Sequence, residues 1–184
     1  IVAPVIVGAV WRFVLEPERG LLNQLLARFG IEGPAWLRDP HWVVPAFVLM
    51  SLWSVGAQML VFLAALKALD PTLDEAARMD GARPWRRFLH VTVPQLTPVL
   101  LFNLVTGSIA AFQIFAQPYV MTEGGPGDAS RFLVLYLYET AFRHLDMGYA
   151  SVIGWVLFGL LAGLCFLFLR SSRRWVYYAG RSGR

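Results

Sequence analysis

Cysteine is almost missing from this chain. The single thiol, Cys165, lies in an apolar run, so no internal disulfide is possible and no companion ligand for a metal stands near it. Histidine is scarce too, and His41, His90 and His144 are too far apart in sequence to suggest a metal site. Charge is thin: 15% of residues are charged and 57% are hydrophobic, where a soluble domain has about 25% and roughly 45–50%. No phosphate-binding loop of the Gly-x-x-x-x-Gly-Lys-Ser/Thr type occurs, so the chain does not hydrolyse nucleotide by itself. No internal repeat or low-complexity tract is present. The apolar stretch Ile1 to Val14 has no basic segment before it and no small-residue cleavage site, so it reads better as the end of a membrane helix whose start is missing than as a secretory leader.

The apolar residues collect into long uncharged runs, as in a polytopic membrane protein. Three complete spans are expected, Trp42–Leu66, Val99–Met121 and Tyr149–Leu169, after a partial one from Ile1 to about Leu15. None of the three complete cores contains Asp, Glu, Lys, Arg or His. The expected fold is an all-helical transmembrane bundle whose N-terminal helices are missing, with the chain a C-terminal piece of a longer subunit. Between spans, Glu16 to His41 carries several Pro and Gly breakers around a short amphipathic piece, Leu21 to Phe29. Thr122 to Gly148 opens on Glu123-Gly124-Gly125-Pro126-Gly127, which no helix survives, and continues into an aromatic segment, Phe132 to Phe142. There, Glu139 and Asp146, near Arg143 and His144, read as a solvated face or a docking surface.

Charge orients the spans. Lys67–Pro98 and the tail 170–184 together hold ten Lys/Arg, against six on the other side, so the first pair is expected to be cytoplasmic. Arg170, Arg173 and Arg174 follow the last span directly, where anionic lipid would hold them. Trp42, Trp175, Tyr177 and Tyr178 fall where aromatic belts are expected. This asymmetry accounts for the net charge of +4 without nucleic acid.

The loop 67–98 carries the strongest local signals. Asp70 suits an N-cap, Pro71 the first helical position, and Gly81 a C-terminal stop, which predicts a helix of about ten residues. Leu73, Ala76, Ala77 and Asp80 then share a face, flat around the alanines and suited to docking on a partner. A second short helix should start at Pro84. Pro94 and Pro98 should then reset the chain, with Thr97 capping the next span.

The spacing Glu75-Ala76-Ala77, three residues, Gly81, nine residues, Val91-x-Val93-Pro94 resembles the EAA loop of binding-protein-dependent ABC importer permeases. Asp80-Gly81-Ala82 fits the sugar-uptake branch, although Val91 and Val93 stand where that family prefers Ile and Leu. Gly20-Leu21-Leu22-Asn23, Trp36-Leu37, Thr122-Glu123-Gly124-Gly125-Pro126 and Gly148-Tyr149-Ala150-Ser151 resemble external segments of maltose- and glycerol-phosphate-type permeases. The resemblance implies a multi-pass subunit of the bacterial cytoplasmic membrane with its C-terminus inside. It implies a pair of ATPase subunits that bind ATP-Mg, a second permease and an external solute-binding protein. It implies that Glu75 makes a charged contact with the ATPase, that Gly81 permits the turn between the two short helices, and that Val91, Val93 and Pro94 join the loop to the next span. The subunit itself would bind no cofactor and catalyse no reaction.

Polar side chains at helical spacing inside the spans are candidate solute contacts or helix–helix hydrogen bonds. They are Ser51, Ser54 and Gln58 in one span, and Thr106, Gln113 and Gln117 in the next, with Phe112 and Phe115 beside them. Hydroxyls, amides and aromatic faces suit a sugar. An ion-coupled carrier would need an ionisable group at membrane depth, and a membrane-embedded enzyme a base beside its nucleophile. The complete spans offer neither.

Overall fold

A computed structural model describes residues 4–177 and shows only helices and connections among them. In order they are α1 (Pro4–Val14), α2 (Leu21–Arg28), α3 (Pro40–Ser51), α4 (Val55–Lys67), α5 (Pro71–Met79), α6 (Pro84–Arg87), α7 (Val93–Phe112), α8 (Ala116–Met121), α9 (Leu133–Tyr138) and α10 (Met147–Trp175). A 3₁₀ turn, Leu52–Ser54, joins α3 to α4, and π turns span Phe88–Thr92 and Glu139–Arg143. Three runs are long and apolar enough to cross a membrane: Pro40–Lys67, Pro84–Met121 and Met147–Trp175. Each contains one of the expected spans. Residues 1–3 and Tyr178 lie outside the described residues.

Two corrections concern prolines and helix ends. Pro94 and Pro98 do not reset the chain, because the helical run continues from Pro84 through both to Phe112. The π turn just before Pro94 widens the ladder where its ring would meet the carbonyl four residues back. Pro98 removes the donor owed to the Pro94 carbonyl, and the Thr97 hydroxyl replaces it, donating across 2.6 Å. Thr97 therefore repairs the interior of a helix; it does not cap one. The same oxygen accepts from the Tyr177 backbone N–H at 2.8 Å. At the far end, α10 runs to Trp175, so Arg170, Arg173 and Arg174 lie on a helix and not in a free tail.

The chain packs as two compact units, Ile1–Ser54 with Ala110–Leu160, and Val55–Ile109 with Leu161–Arg184. The first has a core of Leu15, Val43, Ala46, Phe47, Met50 and Met121, with Trp11, Leu22, Trp36, Leu37 and Phe132 against it. Phe47 meets Phe132 edge-on at 5.7 Å. α1 lies on α8 at Gly8, where a Cβ would meet Met121 and the Gln117 backbone at 3.6 and 3.8 Å, ordinary contact distances. In the second unit α4 buries nothing, and the buried side chains are Leu96, Thr97, Leu101 and Ser172.

Candidate functional site

The loop between α4 and α7 folds as its spacing predicts. Asp70 caps α5: its Oδ1 accepts from the Thr72 backbone N–H at 2.9 Å and from the Thr72 hydroxyl at 2.7 Å. Those bonds favour the ionised carboxylate and hold it below its ordinary value. At the other end Gly81 takes φ +73°, the left-handed conformation that glycine adopts without strain. Its N–H donates to Arg78 O and that of Ala82 to Ala77 O, both at 3.0 Å. This is a Schellman stop, which satisfies carbonyls the helix end would otherwise orphan.

Arg83 then leads into α6, with Pro84 at its first position. Arg87 on α6 reaches back to Asp74 on α5, Nη1 to Oδ2 3.0 Å. Asp74 is half exposed, so the pair contributes at most about 1 kcal/mol, but it fixes the angle between the two short helices. Between them lies an open groove of about 680 Å³ lined by Ala77, Asp80, Gly81, Arg83, Arg86 and His90 among others. Leu73, Glu75, Ala76 and Asp80 are exposed and Ala77 is half-buried. Met79, 90% exposed, extends the apolar part of that surface. Val91 lies in the π turn, and Val93 and Pro94 open α7, so the three do connect the loop to the membrane-long helix.

The polar span residues fare differently. Ser51 donates to Val48 O and Ser54 to Ser51 O, each at 2.7 Å, and Thr106 donates to Phe102 O at 2.8 Å. Their hydroxyls are occupied by their own helices. The 3₁₀ turn, Leu52–Ser54, interrupts the α-helical periodicity on which the spacing of Ser51, Ser54 and Gln58 rests. In the second unit the Gln58 amide nitrogen lies 3.9 Å from where a Cβ on Gly107 would stand, facing α7. Gln113 is not on a helix. It falls in the break between α7 and α8, ahead of Phe115 at φ −135° and ψ −55°. The expected single face through Thr106, Gln113 and Gln117 is therefore broken. Breaks of this kind inside a span expose backbone polar groups and line cavities, not lipid. Gln113 and Phe112 are exposed, and Gln117 and Phe115 are half-buried.

The first unit also explains the short motifs. Asn23 fastens three points of the α1–α3 connection. Its Nδ2 donates to Pro17 O at 2.9 Å and Pro34 O at 3.2 Å, and its Oδ1 accepts from Trp36 Nε1 at 2.7 Å. Gly20 and Gly33 make room for this: a Cβ would stand 2.3 Å from Glu16 O at Gly20 and 2.0 Å from Asn23 Oδ1 at Gly33. In the Thr122–Pro126 segment, buried Ser130 shares a hydrogen bond with the Thr122 hydroxyl and donates to Gly125 O, both at 2.6 Å. Asp146 caps α10, accepting from the Tyr149 N–H at 2.9 Å.

Glu139 corrects the sequence reading. It is not on a solvated face: its residue is 4% exposed. Arg143 Nη1 donates to its Oε1 at 3.1 Å, and Arg131 Nε lies 2.9 Å from Oε2 without its N–H aimed along that contact. Nothing in a single sequence distinguished this carboxylate from an exposed one. A residue flanked by arginines eight before and four after was the available hint. Among the described residues no three His, Cys, Asp or Glu side chains cluster as metal ligands would.

Residues 1–177 match the family described as "Binding-protein-dependent transport system inner membrane component". A probable ABC transporter permease protein of Bacillus subtilis, YesP, is 37% identical over 180 residues, covering 96% of this chain and 58% of the relative. The sulfoquinovosyl glycerol transport system permease SmoG of Agrobacterium fabrum is 36% identical, covering 90% and 54%. The lactose transport system permease LacF of Rhizobium radiobacter is 36% identical, covering 84% and 54%. The chain thus spans somewhat over half the length of these curated relatives. A chain of a bacterial alginate ABC transporter, solved with an alginate-bound periplasmic protein, superposes with a TM-score of 0.83 at 23% identity, over 95% of this chain and 61% of that one. That likeness shows the fold.

Proposed function

Because this chain belongs to the binding-protein-dependent transport system inner membrane component family, we propose that it forms the translocating part of a permease subunit in an ATP-driven importer of a carbohydrate or related polyol. The observation that carries the reading is the loop 70–94. Its Glu-Ala-Ala helix is capped at Asp70, stopped at Gly81 and braced to α6 by Asp74–Arg87, and α6 continues through the π turn into the membrane-long helix. A rigid pair of short helices joined to a span is what a lever needs. The exposed face with Leu73, Glu75, Ala76 and Asp80 docks on an ATPase subunit in the cytoplasm. Closure of an ATPase pair around ATP-Mg moves the loop, and the spans switch between two states.

The names of the relatives, a lactose and a sulfoquinovosyl glycerol permease among them, support a sugar cargo. So do the neutral hydroxyl, amide and aromatic groups on the spans. Ser51, Ser54, Gln58, Thr106, Phe112, Gln113 and Gln117 remain the proposed solute contacts, with Gln113 foremost because it sits at a helix break. The subunit works beside a second permease and an external solute-binding protein. It lies in the inner membrane with its C-terminus cytoplasmic, and carries out no chemical step itself.

The test is uptake of labelled sugars and glycerol phosphates by the full assembly in proteoliposomes, wild type against Glu75→Lys and Gly81→Pro. Glu75 is exposed, so its replacement leaves the fold intact. Proline at 81 can neither take φ +73° nor donate to Arg78 O. Both variants should lose uptake, and the ATPase subunits should no longer co-purify. Survival of uptake and association in both would remove the coupling role.

A further inference from the structure

Glu139 is the one buried carboxylate among the described residues. Burying a charge costs several kcal/mol before its partners offset it, and an apolar side chain of similar volume would avoid that cost. Stability alone therefore does not call for a glutamate here. What a carboxylate adds is direction, because each oxygen faces a different cation.

Oε1 holds Arg143, and the guanidinium so placed lies over the ring of Tyr119, 5.7 Å from its centroid. Oε2 faces Arg131, which also pairs with Asp128 at 3.0 Å and so belongs to the glycine-rich loop. Tyr119 stands on α8, stacks on Phe115 at 5.3 Å and meets Tyr138 edge-on at 5.6 Å. Phe115 is the residue at which the helix restarts after the Gln113 break. With six residues, α8 is too short to keep its direction unaided. Packing on α1 and the grip of Arg143 and the aromatic cluster supply that direction. A chain of contacts inside one unit thus runs from Glu139 through Arg143 and Tyr119 to the break that carries the proposed solute contacts Gln113 and Gln117.

We propose that Glu139 is a positioning residue for solute passage: through Arg143 it sets the angle of α8 at the helix break, and it touches no solute itself. The proposal rests on the transport reading above. Its test uses the full assembly in proteoliposomes with Glu139→Gln, Glu139→Asp and the double variant Glu139→Gln with Arg143→Gln. Three quantities are read: the amount of assembled complex, the maximal rate and half-saturation of uptake, and the rate at which a maleimide labels the thiol introduced by Ala116→Cys in a Cys165→Ser background. Labelling reports the break whether or not any sugar moves, so the two failures are told apart: a wild-type assembly that transports no carbohydrate sinks the transport reading, whereas unchanged labelling in Glu139→Gln sinks the link from Glu139 to the break.

With Glu139→Gln the complex should assemble normally, maximal uptake should fall roughly tenfold, and labelling should quicken severalfold. Glu139→Asp should restore part of both. The double variant should stay slow, because the grip on Tyr119 is not rebuilt. Wild-type uptake and labelling in Glu139→Gln would overturn the proposal. So would a loss of assembly that the double variant reverses together with uptake, since Glu139 would then only neutralise a buried arginine. If Glu139→Gln does not assemble at all, Glu139→Asp decides, and labelling unchanged from wild type in that variant counts against the proposal.

Discussion

The two packing units of this chain solve opposite problems. The first, built on α1–α3, α8, α9 and the start of α10, keeps its own core: Leu15 and Val43 are fully buried, and Phe47, Met50 and Met121 nearly so. It also buries polar groups, Ser130, Glu139 and Thr140, each with a partner. The second, built on α4–α7 and the end of α10, leaves Met59 and Leu60 about two-thirds exposed, at 68% and 66%. Such an apolar surface is uncovered only in isolation and belongs against lipid or another subunit. The first unit is therefore held together from within. The second takes its shape from helix propensity, caps and turns, and waits for neighbours. For the lever proposed above this division would be useful, since the loop 70–94 sits on helices that are not locked into a core of their own.

Matched substitutions break or sharpen that contrast. Phe47→Ala should cost about 3–5 kcal/mol by opening a cavity in the first core. Leu60→Ala on α4 should change the stability of the chain in micelles hardly at all. Thermal unfolding of both variants in one detergent checks this, and equal losses would mean that the exposed face of α4 is covered in the folded state. A middle-sized effect is expected at Asn23. Asn23→Ala removes three hydrogen bonds, each contributing about 1 kcal/mol, so a loss of roughly 2–3 kcal/mol should follow. Gly33→Ala should reproduce it, because the new Cβ would occupy the place of Asn23 Oδ1. If Gly33→Ala is neutral by the same measurement, the connection is looser than its hydrogen bonds imply.

The loop 70–94 was legible from sequence because every step in it is local. The Asp-Pro start, the glycine stop and the Glu-Ala-Ala spacing act within a dozen residues, and the long uncharged runs act through lipid, whose demands are uniform. Thr97 and the two prolines were misread because a proline's effect depends on the carbonyl four residues back and on what replaces its donor. The single helical face expected through Thr106, Gln113 and Gln117 was misread for a similar reason. Periodicity assumes an unbroken helix, and no residue type announces the interruption at Gln113–Phe115. Glu139 was out of reach, since its burial depends on Arg131 and Arg143 folding around it.

The smallest effect compares one device in two places. Asp39-Pro40-His41 opens α3 and Asp70-Pro71-Thr72 opens α5, and in each the aspartate Oδ1 accepts the N–H two residues on, at 2.8 and 2.9 Å. Both carboxyls sit below the ordinary 3.8 because that backbone bond favours the ionised form. A lowered folded value means that each cap contributes fully above the unfolded value and loses its contribution as pH falls through the lower folded one. At neutral pH both are constant. Their weight differs because α3 begins a 28-residue helical run, whereas α5 has nine residues and buries none of them. A helix that short is marginal without its cap. Asp70→Ala should therefore speed amide hydrogen exchange along Leu73–Ala77 severalfold, with Asp70→Asn close to wild type because the acceptor remains. Asp39→Ala should leave exchange beyond the first turn of α3 unchanged. In the wild type, protection of α5 should be flat from pH 7 to about 4 and fall below that. Equal sensitivity of the two helices would mean that α5 is held by contacts other than its cap, and the picture of a loop shaped by local signals alone would have to be given up.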